Sequence, residues 1–361
     1  MRPTRAIVRL DHVVHNLRVA ARLAPGSKNV PVIKANAYGH GAVEVARALA
    51  PHAPVLAVAF IDEAMALREA GIDHPLLVLQ GPSQARDVAT AATNDFWLML
   101  HEPGQVRWVA EARLSTPITT WLKIDTGMHR LGLSGDQVRP ALDRLRESGN
   151  TLGDTVVATH LSRADEPDHD FTRDQLALFA EQTNGLALPR SIANSAGILG
   201  WPDAHADWNR PGYMLYGHCP TNASSPGGPA AELRPAMTLT SEIISVRELA
   251  PDEGVGYGQR WRAERPSRIG TVAIGYGDGY PRHAPNGTPT WVGCMRAPLV
   301  GTVSMDMITI DLTDIPAASV GDTVELWGEN VSVNEVAACA GTIGYELLAG
   351  LTGRVPLEYS S

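Results

Sequence analysis

Val30-Pro31-Val32-Ile33-Lys34-Ala35-Asn36-Ala37-Tyr38-Gly39-His40-Gly41 joins an apolar run to two glycines, and a helical pattern from Val43 to Leu49 follows at once. The run predicts a buried strand ending in Lys34, and the glycines permit a sharp turn into the helix. In a (β/α) layout this junction is where reactive groups sit, and the positive end of a helix attracts phosphate. A lysine placed there can condense with an aldehyde. A strand-end lysine snorkelling to water is the plain alternative.

Working outward, the same unit recurs. A short strand pattern, Ala6 to Leu10, leads to an amphipathic segment running to about Leu23, with Asp11 as its expected cap. Apolar runs at 30–34, 55–60, 76–80, 96–100, 118–124, 155–160, 190–193 and 206–209 then alternate with helical stretches such as Asp62 to Ala70, Gln105 to Arg113, Val138 to Glu147 and Arg173 to Gln182. Continuously apolar strands separated by helices indicate a parallel sheet covered on both faces. Lys34, Gln80, Lys123, His160, Asn194 with Ser195, and Arg210 all fall at or just past the carboxyl ends of these runs. That placement favours a closed barrel, which gathers its site from many strands. A doubly wound open sheet would gather it near one switch point.

After Tyr216 the texture changes, and Pro220 to Pro229 reads as a surface loop or domain connection. Beyond about Arg234 the periodicity becomes two, in Met237 to Leu249, Arg268 to Ile274, Leu299 to Ile310 and Thr323 to Trp327. Helical patches at Asn334 to Ala340 and Tyr345 to Leu351 precede a last strand near Val355. The expectation is α/β: an N-terminal (β/α)8 TIM-like barrel over residues 1–233 and a C-terminal mainly β domain over 234–361, with residues 1–10 placed to pair with the second domain.

The 361 residues, 44% of them hydrophobic, suffice for two domains with a large core. A net charge of -9 argues against nucleic acid or an anionic membrane as partner. Met1 to Arg5 run into an alternating strand rather than an apolar signal region, and no run has transmembrane length, so the expected location is cytoplasmic. Cys219, Cys294 and Cys339 are too widely spaced for a disulfide framework or a zinc site, and no metal is expected.

Other strings can carry chemistry. N-S-A-G-I at 194–198 offers Ser195 and backbone amides to an anion, or is an ordinary helix cap. Arg210, in R-P-G-Y, is a permanent cation or a turn arginine, and His160 is a ligand or a core histidine. K-I-D-T-G-M-H-R-L-G at 123–132 sets Lys123 and Arg130 near Asp125. Tyr257 lies between glycines in G-V-G-Y-G-Q-R-W. The glycines of G-Y-G-D-G-Y at 275–280 lack the βα context of a nucleotide loop.

Taken together, I-K-A-N-A-Y-G-H-G, K-I-D-T-G-M-H-R-L-G, N-S-A-G, N-R-P-G-Y, G-V-G-Y-G and G-T-V-S-M-D resemble, in order, the signatures of alanine racemases from near residue 6 to near residue 358. The resemblance implies that Lys34 holds pyridoxal 5'-phosphate as a Schiff base. It implies phosphate contacts from Tyr38, Ser195, Gly212, Tyr213 and Tyr345, with Asn194 beside them. Arg210 would face the pyridine nitrogen, backed by His160. Arg130 and the Met305 amide would meet the substrate carboxylate, with Asp306 beside Met305, Tyr276 at the entrance, and Lys123 carrying a carbamate that orients Arg130. Thr302 departs from the arginine many relatives have there.

Lys34 and Tyr257 would be the two bases that interconvert L- and D-alanine, in a homodimer with shared active sites that supplies D-alanine for peptidoglycan. The amino-acid substrate is small, with neither nucleic acid nor membrane as partner. A broader-specificity amino-acid racemase stays open. A pyridoxal-phosphate decarboxylase would need a carboxylate in place of Arg210, and a small non-enzymatic carrier of the cofactor would lack the second domain.

Overall fold

A computed structural model describes residues 2–220 and 228–360, so most of the expected connection at 220–229 lies outside the described residues. The chain divides into two units, one of His12–Ala37 and Ala42–Arg234, the other of Met1–Asp11, Tyr38–Gly41 and Pro235–Ser361.

In the first unit eight parallel strands follow one another round a ring: Lys28–Asn29, Leu56–Val58, Leu76–Val78, Phe96–Leu100, Thr120–Lys123, Val156–Ala158, Arg190–Ser191 and Trp208–Asn209. The last pairs with the first through Asn29 and Asn209, and a bridge from Val32 to Ala57 completes the closure. This is the expected α/β architecture, a (β/α)8 barrel. The first strand is shorter than the apolar run suggests, because Pro31 has no N–H to give the ladder. The connection survives through its carbonyl, which accepts the Ala57 amide at 2.8 Å, and through the Ile33 amide, which donates to Ala57 at 2.7 Å. Asp11 is not a cap. It lies within the first turn of the helix Leu10–Leu23, where its charge still suits the helix dipole.

In the second unit Met237–Leu249 is the organising strand. It pairs antiparallel with Arg5–Arg9, Thr323–Trp327 and Ser267–Val272, leaving Thr323–Trp327 after Glu242 and taking Ser267–Val272 from Ile243, with a register shift between Ile243 and Ser245. Arg5–Arg9 also pairs in parallel with Leu357–Ser360, so both ends of the described chain enter one sheet. Tyr280 stacks on Trp327 in its core, with centroids 6.2 Å apart. The run Leu299 to Ile310 is not one strand. It folds back on itself, with Leu299 bridged to Ile310 and the Val300 amide bonded to Thr309 at 2.9 Å, because Gly301 turns the chain at φ 79°. The tip of this turn carries Met305.

Tyr38–Gly41 belongs to this second unit although it follows Lys34 directly. Gly39 has φ +83°, and a Cβ there would lie 2.0 Å from the Leu348 carbonyl oxygen. Gly39→Ala is therefore expected to destabilise the protein by about 2 kcal/mol or more, read as a lowered midpoint in urea with an unchanged slope; an unchanged midpoint would contradict the close packing.

Candidate active site

Lys34 ends the first barrel segment, and the backbone then turns the unusual way. Ala35, Asn36, Ala37 and Tyr38 have φ between 51° and 54°, a left-handed turn without a glycine. Such a conformation costs roughly 1–2 kcal/mol per residue, so it needs anchors. The Ala37 amide donates to Ile33 at 2.9 Å, the Ala35 amide to Glu63 Oε1 at 2.7 Å, and Asn36 Oδ1 accepts the Ala42 amide at 2.9 Å, at the start of the helix Ala42–Leu49. Burial lowers the pKa of the Lys34 amine, Arg130 lowers it further, and Glu63 opposes both.

Arg210 is buried just past the strand Trp208–Asn209. Its Nη2 donates to the Thr159 carbonyl at 2.6 Å and to Ile192 at 3.2 Å, while Nη1 donates to Ser191 Oγ. The guanidinium is thus held by its two terminal nitrogens. Burial brings its pKa to about 10, so it remains charged at neutral pH. His160 is half-buried, and its pKa lies well below that of an ordinary histidine, first through burial and then through Arg210, Lys123, Arg130 and Lys34. The neutral ring therefore sits among cations. Direct support for Arg210 comes from Ser191, Thr159 and Ile192.

Ser195 Oγ accepts the amides of Gly212 at 2.9 Å and Met214 at 3.2 Å, which leaves the hydroxyl proton to donate. Tyr213 is buried between those two residues, its ring 5.5 Å from that of His218. Asn194 is engaged as a cap: Oδ1 accepts the Gly197 amide at 2.9 Å and Nδ2 donates to Leu161 at 3.1 Å.

The segment 123–133 closes on itself, since the Leu133 amide donates to Lys123 at 2.9 Å and the Asp125 amide to Leu133 at 3.0 Å. Asp125 organises the loop by accepting the amides of Gly127 at 3.0 Å and His129 at 3.1 Å. Arg130 is exposed on the loop while Lys123 is buried at its base. Burial, Arg210 and Arg130 bring the Lys123 pKa down to about 8, against a smaller opposing effect of Asp125.

The second unit holds the remaining candidates. Tyr257 is 72% exposed, between Gly256 and Gly258, and its carbonyl accepts the Thr302 hydroxyl at 3.3 Å. Tyr276 and Met305 are on zipped loops: the Tyr276 amide bonds Ser304 at 3.0 Å and the Gly277 amide bonds Met305 at 2.8 Å. Asp306 pairs with Arg354. The Tyr38 and Tyr345 rings approach to 5.9 Å.

The alanine racemase N-terminal domain model matches residues 8–220, and the alanine racemase C-terminal domain model matches residues 236–359. The chain belongs to the alanine racemase family. It is 50% identical to an alanine racemase of Azoarcus sp. (strain BH72), covering 99% of each chain. It is 49% identical to a catabolic alanine racemase of Pseudomonas putida, again over 99% of each. The biosynthetic alanine racemase of Pseudomonas aeruginosa has the same fold, with a TM-score of 0.95 and 47% identity over 100% of both chains.

Sequence reasoning missed Glu63, which reads as an ordinary acidic residue in a first helical turn, and Asn36, whose capping role follows from a left-handed turn that the sequence does not signal. Among the described residues no His, Cys, Asp and Glu group could hold a metal ion, and no helix is long and apolar enough to cross a membrane.

Lys123 supplies a pH test with a definite sign. The unfolded chain keeps this proton to about pH 10.4 whereas the folded one releases it near pH 8, so the unfolded state binds more protons in that window and stability rises with pH there. Relative to Lys123→Met, the wild type should gain stability between pH 8 and pH 10 in denaturant titrations. A gap independent of pH would contradict the shift.

Proposed function

We propose that the protein interconverts L- and D-alanine with pyridoxal 5'-phosphate held on Lys34. The observation that carries this reading is the buried, permanently charged Arg210 sharing one electrostatic cluster with Lys34, Lys123 and Arg130. Four cations in one barrel mouth call for anions, and a phosphate and a substrate carboxylate supply them. The donors suit the cofactor: the Ser195 hydroxyl, whose oxygen accepts the Gly212 and Met214 amides and whose proton stays available for phosphate, a lysine of lowered proton affinity for the aldehyde, and Arg210 Nε for the pyridine nitrogen. We extend the phosphate group to Tyr38, Tyr213 and Tyr345.

When bound, the cofactor withdraws electrons from the substrate and so acidifies its Cα–H bond. Arg210 presents an N–H rather than a carboxylate, so it leaves the pyridine nitrogen as an acceptor without a proton. Arg210 in that place would restrain charge spreading into the ring and so disfavour decarboxylation and transamination. Arg130 and the Met305 amide hold the substrate carboxylate, with Asp306 and Tyr276 bordering them and Lys123 at the base of the Arg130 loop; a carbamate on Lys123 would replace that cation by an anion that orients Arg130, and would abolish its titration between pH 8 and pH 10. Lys34 and Tyr257 move the protons: one takes the Cα proton and the other returns a proton to the opposite face, each transfer contributing ~10²- to 10⁴-fold. The product D-alanine would serve peptidoglycan in the cytoplasm. A catabolic role is the second reading, favoured by the likeness to the catabolic P. putida enzyme.

The exposed ring of Tyr257 and the exposed Met305 side chain support a further element, a homodimer in which each Tyr257 completes the partner's site. Lys34→Ala and Tyr257→Ala should each abolish racemisation, the former with loss of the visible cofactor band. Refolded together, they should form heterodimers as about half of the population and recover roughly a quarter of wild-type activity. Full activity of Lys34→Ala would overturn the chemistry; no recovery in verified heterodimers would overturn only the shared site.

A further inference from the structure

The carboxylate of Glu63 has no part in the chemistry just described, yet it is built into the Lys34 turn. Glu63 is half-buried in the first turn of the helix Ile61–Glu69, directly after the barrel strand Leu56–Val58. A glutamate at the third position of a helix ordinarily reaches back to the capping residue's own amide. Here that bond, to the Phe60 amide, is the longest at 3.4 Å. The short ones go to Ala59 at 2.6 Å, through Oε2, and across to Ala35 at 2.7 Å, through Oε1.

One carboxylate therefore clamps the peptide that follows Lys34 to the carboxyl end of the adjacent strand. Ala35 is also the first of the four left-handed residues, so the clamp acts where the backbone leaves its preferred region. The titratable groups that interact electrostatically with Lys34 are Arg130, Lys123, His160 and Glu63, of which Glu63 is the acid.

We propose that Glu63 is a positioning residue for Lys34: by holding the Ala35 and Ala59 amides at once it fixes the direction in which the lysine side chain leaves the barrel strand. The proposal rests on the assignment of Lys34 as the reacting amine. Carboxylate oxygens accept both amides, whereas a glutamine of the same size has one accepting oxygen and one NH2 group that only donates. Glu63→Gln thus removes one of the two clamps with little change in volume, and Glu63→Ala removes both.

The test uses the purified full-length enzyme and reads three quantities: amide hydrogen exchange over residues 34–38, kcat against KM for alanine, and the thermal midpoint. In Glu63→Gln, exchange at 34–38 should accelerate and kcat should fall ~10- to 100-fold, the cost of a small misplacement of a reacting group, with KM for alanine nearly unchanged. Glu63→Ala should go further in the same direction. If exchange quickens only at 59–64 while 34–38 and kcat stay as in the wild type, Glu63 is a helix cap and the proposal fails. Altered exchange at 34–38 with unaltered kcat overturns it equally. Absence of alanine racemisation in the wild type would sink the functional reading instead, because the exchange measurement does not depend on which reaction is catalysed.

Discussion

The left-handed turn that begins after Lys34 is the constraint on which the site depends. Four residues with side chains occupy a backbone region that disfavours each of them. The turn persists because its amides and side chains are spoken for by Ile33, Glu63 and the start of the next helix. Strained backbone held by well-placed acceptors is a common feature of functional sites. The same turn carries the chain from Lys34 in the first unit to Tyr38–Gly41, which belong to the second.

Charge is the second constraint. Lys34, Lys123, Arg130 and Arg210 depress one another's proton affinity or that of His160, and desolvation adds to the effect for the buried members. In an isolated protein such an arrangement is destabilising, since like charges are brought together in a medium that screens them poorly. Under the proposed function, the bound phosphate and substrate carboxylate offset that cost. The chain has three lysines in all, Lys28, Lys34 and Lys123. Two of them belong to this cluster, while Lys28 lies outside it with its ammonium 4.9 Å from the Trp208 ring centre.

Much of the barrel was legible because eight apolar runs spaced by helical periods leave few other solutions, and because polar residues recur at the same end of each run. Strand lengths were less legible: Pro31 shortens the first ladder, and Gly301 turns a continuous alternating run, Leu299 to Ile310, back on itself. The Lys34 motif could be read from its string, but its handedness could not, as nothing in Ala-Asn-Ala-Tyr prefers a positive φ except the asparagine. Glu63 escaped notice because its partner is 28 residues away in sequence, and long-range acceptors leave no local pattern. Arg210 stood out as a strand-end cation, whereas its supports, two backbone carbonyls and Ser191, carry no side-chain signature.

Reductive trapping decides whether Lys34, rather than Lys123, is the amine that carries the cofactor. Borohydride treatment of the purified enzyme followed by peptide mass mapping has only three lysines to distinguish. A single pyridoxyl group on Lys34, with Lys28 and Lys123 unmodified, is the expected result. A pyridoxyl group on Lys123, or none on any lysine, would contradict it.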